Sequence, residues 1–227
     1  MIASSLLPIG LLGAVLGLDT VSFPQAMLSR PLISATFGGA LMGSPLSGLL
    51  VGAALELIAL ETLPFGASRY PEWGSGSVVG GALFASAPEH PAGAMAMAMF
   101  AALATAWIGG WTMVKLRQLN ARFAAQSRSG LDAGARGTVI GLQLTGMTAD
   151  LIRGFVLTII AWSVFWPITE ASLALWSVDA RASRAITVGV ATSVAAGAVW
   201  KLFHGSLPAR WLFVAGLGIA VIVLVVR

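Results

Sequence analysis

The sequence predicts an all-α, polytopic membrane protein of roughly six to eight segments, with short broken or re-entrant helices in residues 30–87. Three observations carry this reading: an apolar composition, basic residues gathered beside apolar spans, and apolar runs in residues 30–87 too short to cross a membrane singly. Of 227 residues, 57% are hydrophobic and only 10% charged, and the mean hydropathy is +0.89, whereas a soluble domain carries about 25% charged residues. A span needs about 20 residues plus a connection, so residues 1–227 fit a single membrane domain. The 27 glycines predict helices packed closely through small-residue faces. The absence of Cys excludes a disulfide framework, a thiol nucleophile and a sulfur-ligated zinc site. Two histidines, His90 and His204, are too few for a His-rich metal site, and neither metal nor cofactor is expected. The net charge of +4 invites a nucleic-acid reading, but basic residues beside apolar spans orient a chain in the lipid bilayer.

Taken in order, Met1 to Leu18 lacks the basic start and small-residue cleavage site of a secretory signal, so Ser4 to Leu18 is read as a retained first segment ending at Asp19-Thr20. A linker, Val21 to Ser29, contains Pro24 and Gln25. Arg30-Pro31 then opens a helix, since proline in the first turn lacks only an N–H that has no partner there. Leu32 to Met42 and Ser47 to Leu60 are separated by Gly43-Ser44-Pro45. An eleven-residue helix reaches about 16 Å, half of a hydrocarbon layer of about 30 Å. A polar and Gly-rich break, Thr62 to Ser77, follows and holds Arg69, Tyr70, Glu72 and Trp73. Irregular backbone at membrane depth persists only when buried in protein or lining a cavity. Val78 to Ala85 is a third short piece, ended by Pro88-Glu89-His90-Pro91.

Ala92 to Val114 predicts a full span. Residues 115–137 form the most basic loop, with Lys115, Arg117, Arg122, Arg128 and Arg136 against Asp132, and are placed in the cytoplasm. Thr138 to Pro167 returns as a tilted or broken helix that is polar near its start. Arg181 and Arg184 lead into Ala185 to Phe203; Lys201, His204 and Arg210 make a second basic turn before Trp211 to Val226. Alternation puts residues 88–91 and 169–180 outside and 204–210 inside.

An intramembrane carboxylate is costly unless it faces protein, water or a ligand. Glu56 lies in the second half-length piece, where it serves either a substrate site or an ion pair with Arg30 or Arg69. Sugar sites combine carboxylates or amides, which accept from hydroxyls, with an aromatic face for the ring. Glu56, Glu72, Gln25 and Trp73 have that chemistry, although Trp73 and Tyr70 equally suit an interfacial belt. Glu61 falls about 140° around a continued helix from Glu56, so it either contacts a ligand from another face or pairs with Arg69 beyond the helix end. Asp150 and Arg153 share a helical face, which suits a structural ion pair between helices or a gating or ligand role, the former being favoured. Gly74-Ser75-Gly76-Ser77 invites a serine-nucleophile reading, but neither histidine is placed to act as its base, and no catalytic residue is expected.

The segments Arg30-Pro31-Leu32, Gly43 with Gly48, Gly52-Ala53-Ala54-Leu55-Glu56-Leu57, and Gly66-Ala67-Ser68 before Pro71-Glu72 resemble the IIC component of mannose/fructose/sorbose-family phosphotransferase systems. The resemblance implies a sugar-translocating subunit of the bacterial inner membrane that binds a hexose-like sugar. It implies a hetero-oligomer with a IID membrane subunit, while cytoplasmic IIB and IIA proteins supply the phosphoryl group. It matches Glu56 and Glu72 to the family's recurring acidic positions and includes Ser68 in its segment; Gln25, Trp73 and Glu61 are added to the candidate substrate site on residue type, Glu61 being a charge additional to the family pattern. The other readings are a non-transporting scaffold or regulatory subunit of the same fold, and an ion-coupled transporter.

Overall fold

The computed structural model describes residues 2–60, 62, 69–87, 89 and 91–203, with 208, 211, 212, 214–216, 218 and 219 beyond them. The expectations placed on Glu61, Ser68, His90, His204 and Arg210 fall outside the described residues. Among the described residues there are eight helices and no strand: α1 (Ile2–Asp19), α2 (Pro31–Leu41), α3 (Pro45–Ala59), α4 (Trp73–Ser86), α5 (Ala92–Gln126), α6 (Arg128–Asp132), α7 (Arg136–Ala174) and α8 (Ala180–Phe203). Helices α5, α7 and α8 are long and apolar enough to cross a membrane, whereas α2 and α3 are the half-length pieces that the sequence predicts.

Prolines and one glycine set the boundaries of the α2–α3 hairpin. Pro31 and Pro45 occupy the first turns of α2 and α3. Between them Gly43 has φ +84°, a conformation that a side chain disfavours. Its N–H bonds to the Ala40 carbonyl at 3.0 Å and that of Ser44 to Gly39 at 2.9 Å. This Schellman ending satisfies carbonyls that a helix end at membrane depth leaves without lipid partners.

Helix α4 begins five residues earlier than the Val78 start expected from hydropathy. The Glu72 carboxylate caps it by accepting from the Ser75 N–H at 3.0 Å, and the Gly74–Ser77 stretch is helical despite its low propensity. Tertiary packing overrides that propensity, because every residue from Trp73 to Ala85 is buried. A Cβ at Gly81 would collide with the Ala35 carbonyl of α2, and one at Gly38 with the Val78 carbonyl of α4. Around this contact Val51, Leu55, Val78, Leu83, Ala98 and Trp162 form the centre of the core.

Two long helices depart from the expected boundaries. Helix α5 continues for 35 residues to Gln126, about 52 Å, and so incorporates half of the basic loop. Helix α7 is continuous for 39 residues, about 58 Å, and carries Pro167 inside it rather than breaking there. Hydropathy reports where a helix leaves the apolar layer; the helix itself ends where its hydrogen bonding ends. Arg, Gln, Ala and Leu in residues 116–126 are good helix formers and let α5 run on into water.

Gly81→Ala is expected to lower thermal stability in detergent by about 1–3 kcal/mol through overpacking. A Cβ at Gly189 of α8 would meet nothing within 4 Å, so Gly189→Ala should leave the unfolding midpoint unchanged or raise it; equal midpoints for the two variants would contradict the close α2–α4 contact.

Candidate substrate site

At the end of α1, Asp19 is 2% exposed. Its carboxylate accepts from the Ala26 N–H at 2.7 Å and the Ser29 N–H at 2.8 Å. These bonds fold residues 20–29 back over the ends of α2 and α3, with Gln25 and Met27 at φ +59° and +61°. The Gln25 amide donates to the Val21 carbonyl at 2.7 Å. Arg30 closes the loop and pairs with the Glu56 carboxylate of α3. The second Glu56 oxygen accepts from the Leu32 N–H at 3.2 Å. Glu56 therefore ties α3 to the loop and places negative charge at the electropositive N-terminus of α2.

On the other side, Trp73 opens α4 and its indole N–H donates to the Thr62 hydroxyl at 3.1 Å. Between these walls lies a cavity of about 380 Å³ lined by Asp19, Thr20, Gln25, Arg30, Thr62 and Trp73 among others, within the range of small-molecule sites. The Thr20 hydroxyl is buried without a hydrogen-bond partner. A cavity with a carboxylate, an amide, a guanidinium, hydroxyls and an indole face can receive a polyhydroxylated ring, donating to and accepting from its hydroxyls.

A second polar group lies behind α4. Glu72 is 1% exposed, and its backbone N–H reaches the Ala106 carbonyl of α5 at 2.8 Å. Arg153 of α7 approaches its Oε2 at 3.9 Å and bonds to Asp150 Oδ1 at 2.9 Å and Thr112 Oγ1 at 3.2 Å. The other Asp150 oxygen accepts from the Ser22 hydroxyl at 2.7 Å. One guanidinium thus serves two buried carboxylates, and Glu72 Oε2 and Arg153 Nη2 each lack a hydrogen bond. Ser22 belongs to the Asp19-organised loop, so this network connects α4, α5 and α7 to the cavity wall.

Of the residues singled out by sequence, Gln25 and Trp73 meet in the cavity, and Glu56 stands one side chain behind it through Arg30. Glu72 precedes Trp73 in the chain, but its carboxylate faces Gly17, Gly109 and Arg153. Asp150 and Arg153 pair with each other on α7, and Arg153 also reaches Glu72 at the start of α4, so the ion pairing does extend between helices. Arg69 lies over the Trp107 ring at 5.7 Å rather than against Glu56, and the Tyr70 hydroxyl accepts from Arg117. Asp19, Thr20, Ser22 and Thr62 emerge only from the structure; a lone acid ending an apolar segment was the one available signal for Asp19.

Half-length helices around a solute-sized cavity with polar groups in a mostly apolar lining, beside three full-length apolar helices among the described residues, define a polytopic membrane protein. A family profile described as "PTS system sorbose-specific iic component" matches residues 3–177. The chain belongs to that family, the IIC membrane subunits of phosphotransferase-system sugar permeases, which work in a membrane complex with other components of the system. A solved structure described as "Structure of membrane protein" shares the fold, with a TM-score of 0.69 at 18% identity, over 97% of this chain and 93% of that one. No curated protein matches the chain.

Arg153→Met leaves two buried carboxylates without their cation and is expected to destabilise the protein by about 3–5 kcal/mol in thermal or denaturant unfolding. Adding Glu72→Gln and Asp150→Asn should recover much of the loss. A single variant as stable as wild type would show that the network contributes nothing.

Proposed function

We propose that this chain is the sugar-translocating IIC subunit of a bacterial inner-membrane permease, and that the cavity between the Asp19 loop and Trp73 binds a hexose-like sugar. The observation that carries the reading is the meeting of Gln25, Arg30, Asp19 and Trp73 around about 380 Å³, where half-length helices end. Trp73 supplies an apolar face for the ring, and the polar wall exchanges hydrogen bonds with its hydroxyls. Glu56 holds Arg30 in that wall, and Glu72 fixes the first turn of α4 and hence Trp73. Ser68 joins the site through the family resemblance of its segment, and Glu61, a charge additional to the family pattern, joins it as a carboxylate in the same stretch. A IID membrane subunit completes the translocation path, and IIB, recharged by IIA, phosphorylates the sugar on the cytoplasmic side; this chain contributes positioning rather than the covalent step.

A non-transporting scaffold is the second reading, favoured by one observation: Glu56 is already engaged by Arg30 and the α2 N-terminus. The two readings differ in whether the assembled complex binds sugar. Radiolabelled hexoses and amino sugars should bind saturably to membranes containing this chain and its IID partner. Trp73→Ala and Gln25→Ala should weaken that binding at least tenfold, and Glu56→Gln and Glu72→Gln should weaken or abolish it with assembly intact. Binding indifferent to all four substitutions would sink the site assignment, and no binding by the assembled wild type would favour the scaffold.

A further inference from the structure

Helices α5 and α7 are longer than a membrane requires, and their surplus lies at the same end. Trp107 and Trp111 are 49% and 51% exposed on α5, and the Lys115 ammonium stacks on Trp111 at 5.5 Å from the ring centre, a pairing suited to the membrane–water boundary. From Lys115 to Gln126 the helix rises about 16 Å further. Helix α6 turns the chain, and α7 returns from Arg136 beside it. The interfacial layer on each side of the hydrocarbon is only about 5–8 Å deep. The tip of this helical hairpin, with Arg128 and Arg136, therefore stands in water beyond the headgroups.

Its surface is unlike that of a bare connection. Residues 115–137 carry five basic side chains and one acid, and the Arg128–Asp132 pair at 3.6 Å is open to solvent. Apolar side chains share the exposure: Leu119 40%, Val139 49%, Ile140 42% and Leu144 58%. Between the two helix ends runs a groove with two adjoining hollows of about 430 and 300 Å³, both bounded by Phe123 and Leu142. The inner hollow also contains Ser22 and Asn120, and the Asn120 carbonyl oxygen is buried without a partner. Ser22 is the residue that bonds to Asp150 and so reaches the Arg153–Glu72 network.

We propose that the hairpin formed by the end of α5, α6 and the start of α7 is the docking surface for the phosphoryl-carrying cytoplasmic subunit, met through an acidic surface with an apolar centre. The proposal rests on the permease reading above and adds a place on this chain. Arg128 and Arg136 at the tip stand about one Debye length, about 8 Å, from the headgroups, where screening weakens the pull of anionic lipid and an acidic protein can reach them. Exposed aliphatic residues within a charged surround match the anatomy of a protein interface. The groove opens next to the loop that walls the sugar cavity, so a subunit docked there sits where a translocated sugar is released.

The test uses the complete complex of this chain with its IID partner in phosphatidylcholine nanodiscs and purified phosphorylated IIB protein, with affinity followed by interferometry at several salt concentrations. Arg122→Glu, Arg128→Glu and Arg136→Glu together should weaken IIB binding at least tenfold and flatten its salt dependence, whereas three Arg→Lys changes at the same positions should largely preserve both. Sugar binding by the same assemblies should be unaltered. Equal IIB affinity for wild type and the Glu variant, or no IIB binding by wild type, would overturn the proposal. So would loss of IID co-purification on those substitutions, which would assign the hairpin to the membrane partner. In parallel discs that also carry phosphatidylglycerol, a Glu variant that loses only a preference for that lipid and keeps IIB would overturn the proposal and make the surface a lipid contact. Absence of sugar binding in assemblies that bind IIB in the expected pattern would leave the docking surface standing and remove the cavity assignment.

Discussion

Helix α4 spans about 21 Å with its 14 residues, too little to cross a hydrocarbon layer, and its irregular approach cannot be satisfied by lipid. Its residues must therefore be enclosed by protein, and they are: α1, α2, α3, α5 and α7 all pack on it. Backbone meets backbone at Gly38, Gly76 and Gly81, which draws the half-length helices close enough to be covered by longer ones. Without a hydrophobic drive between helices in lipid, such close van der Waals contact is what holds them together. The cavity exists because α3 ends and α4 begins on the same side of this contact, leaving space for the Asp19 loop to close over.

Charge organises the same region in two layers. In the outer layer Glu56 joins Arg30 and the start of α2, and both side chains keep some contact with solvent. In the inner layer Glu72, Asp150 and Arg153 are almost entirely enclosed. A buried group with two carboxylates and one guanidinium is costly unless further hydrogen bonds support it. Ser75, Thr112 and Ser22 provide them. The inner layer joins elements far apart in the chain, and the outer layer shapes the wall that faces the cavity. Movement of the Asp19 loop would be felt in both, through Ser22 and through Arg30.

The long helices divide the molecule differently. Their apolar halves support the core and their polar halves form a hairpin outside it, so one pair of elements serves the membrane and the water phase. Helix α8 packs chiefly on α3 and α5 and leaves most of its apolar face, including Val188 and Val190, uncovered within the chain. That face is compatible with lipid or with another membrane subunit of the complex.

Composition and hydropathy determined the class of protein, the helical fold and the half-length helices before and after Gly43, because each depends on local apolar length; the family was legible only as a resemblance of short motifs between Arg30 and Glu72. Gln25, Trp73 and Glu56 were singled out on residue type alone. Tertiary structure alone decided which of them share a cavity: Glu72 and Trp73 are neighbours in sequence, yet the first helical turn sends one toward Arg153 and the other toward Thr62. It also decided that Gly74–Ser77 is helix, since those glycines and serines owe their conformation to burial among five helices and not to propensity. Asp19 gained its role by the same route. Its hydrogen-bond partners lie seven and ten residues away, in a loop whose fold no periodic pattern encodes.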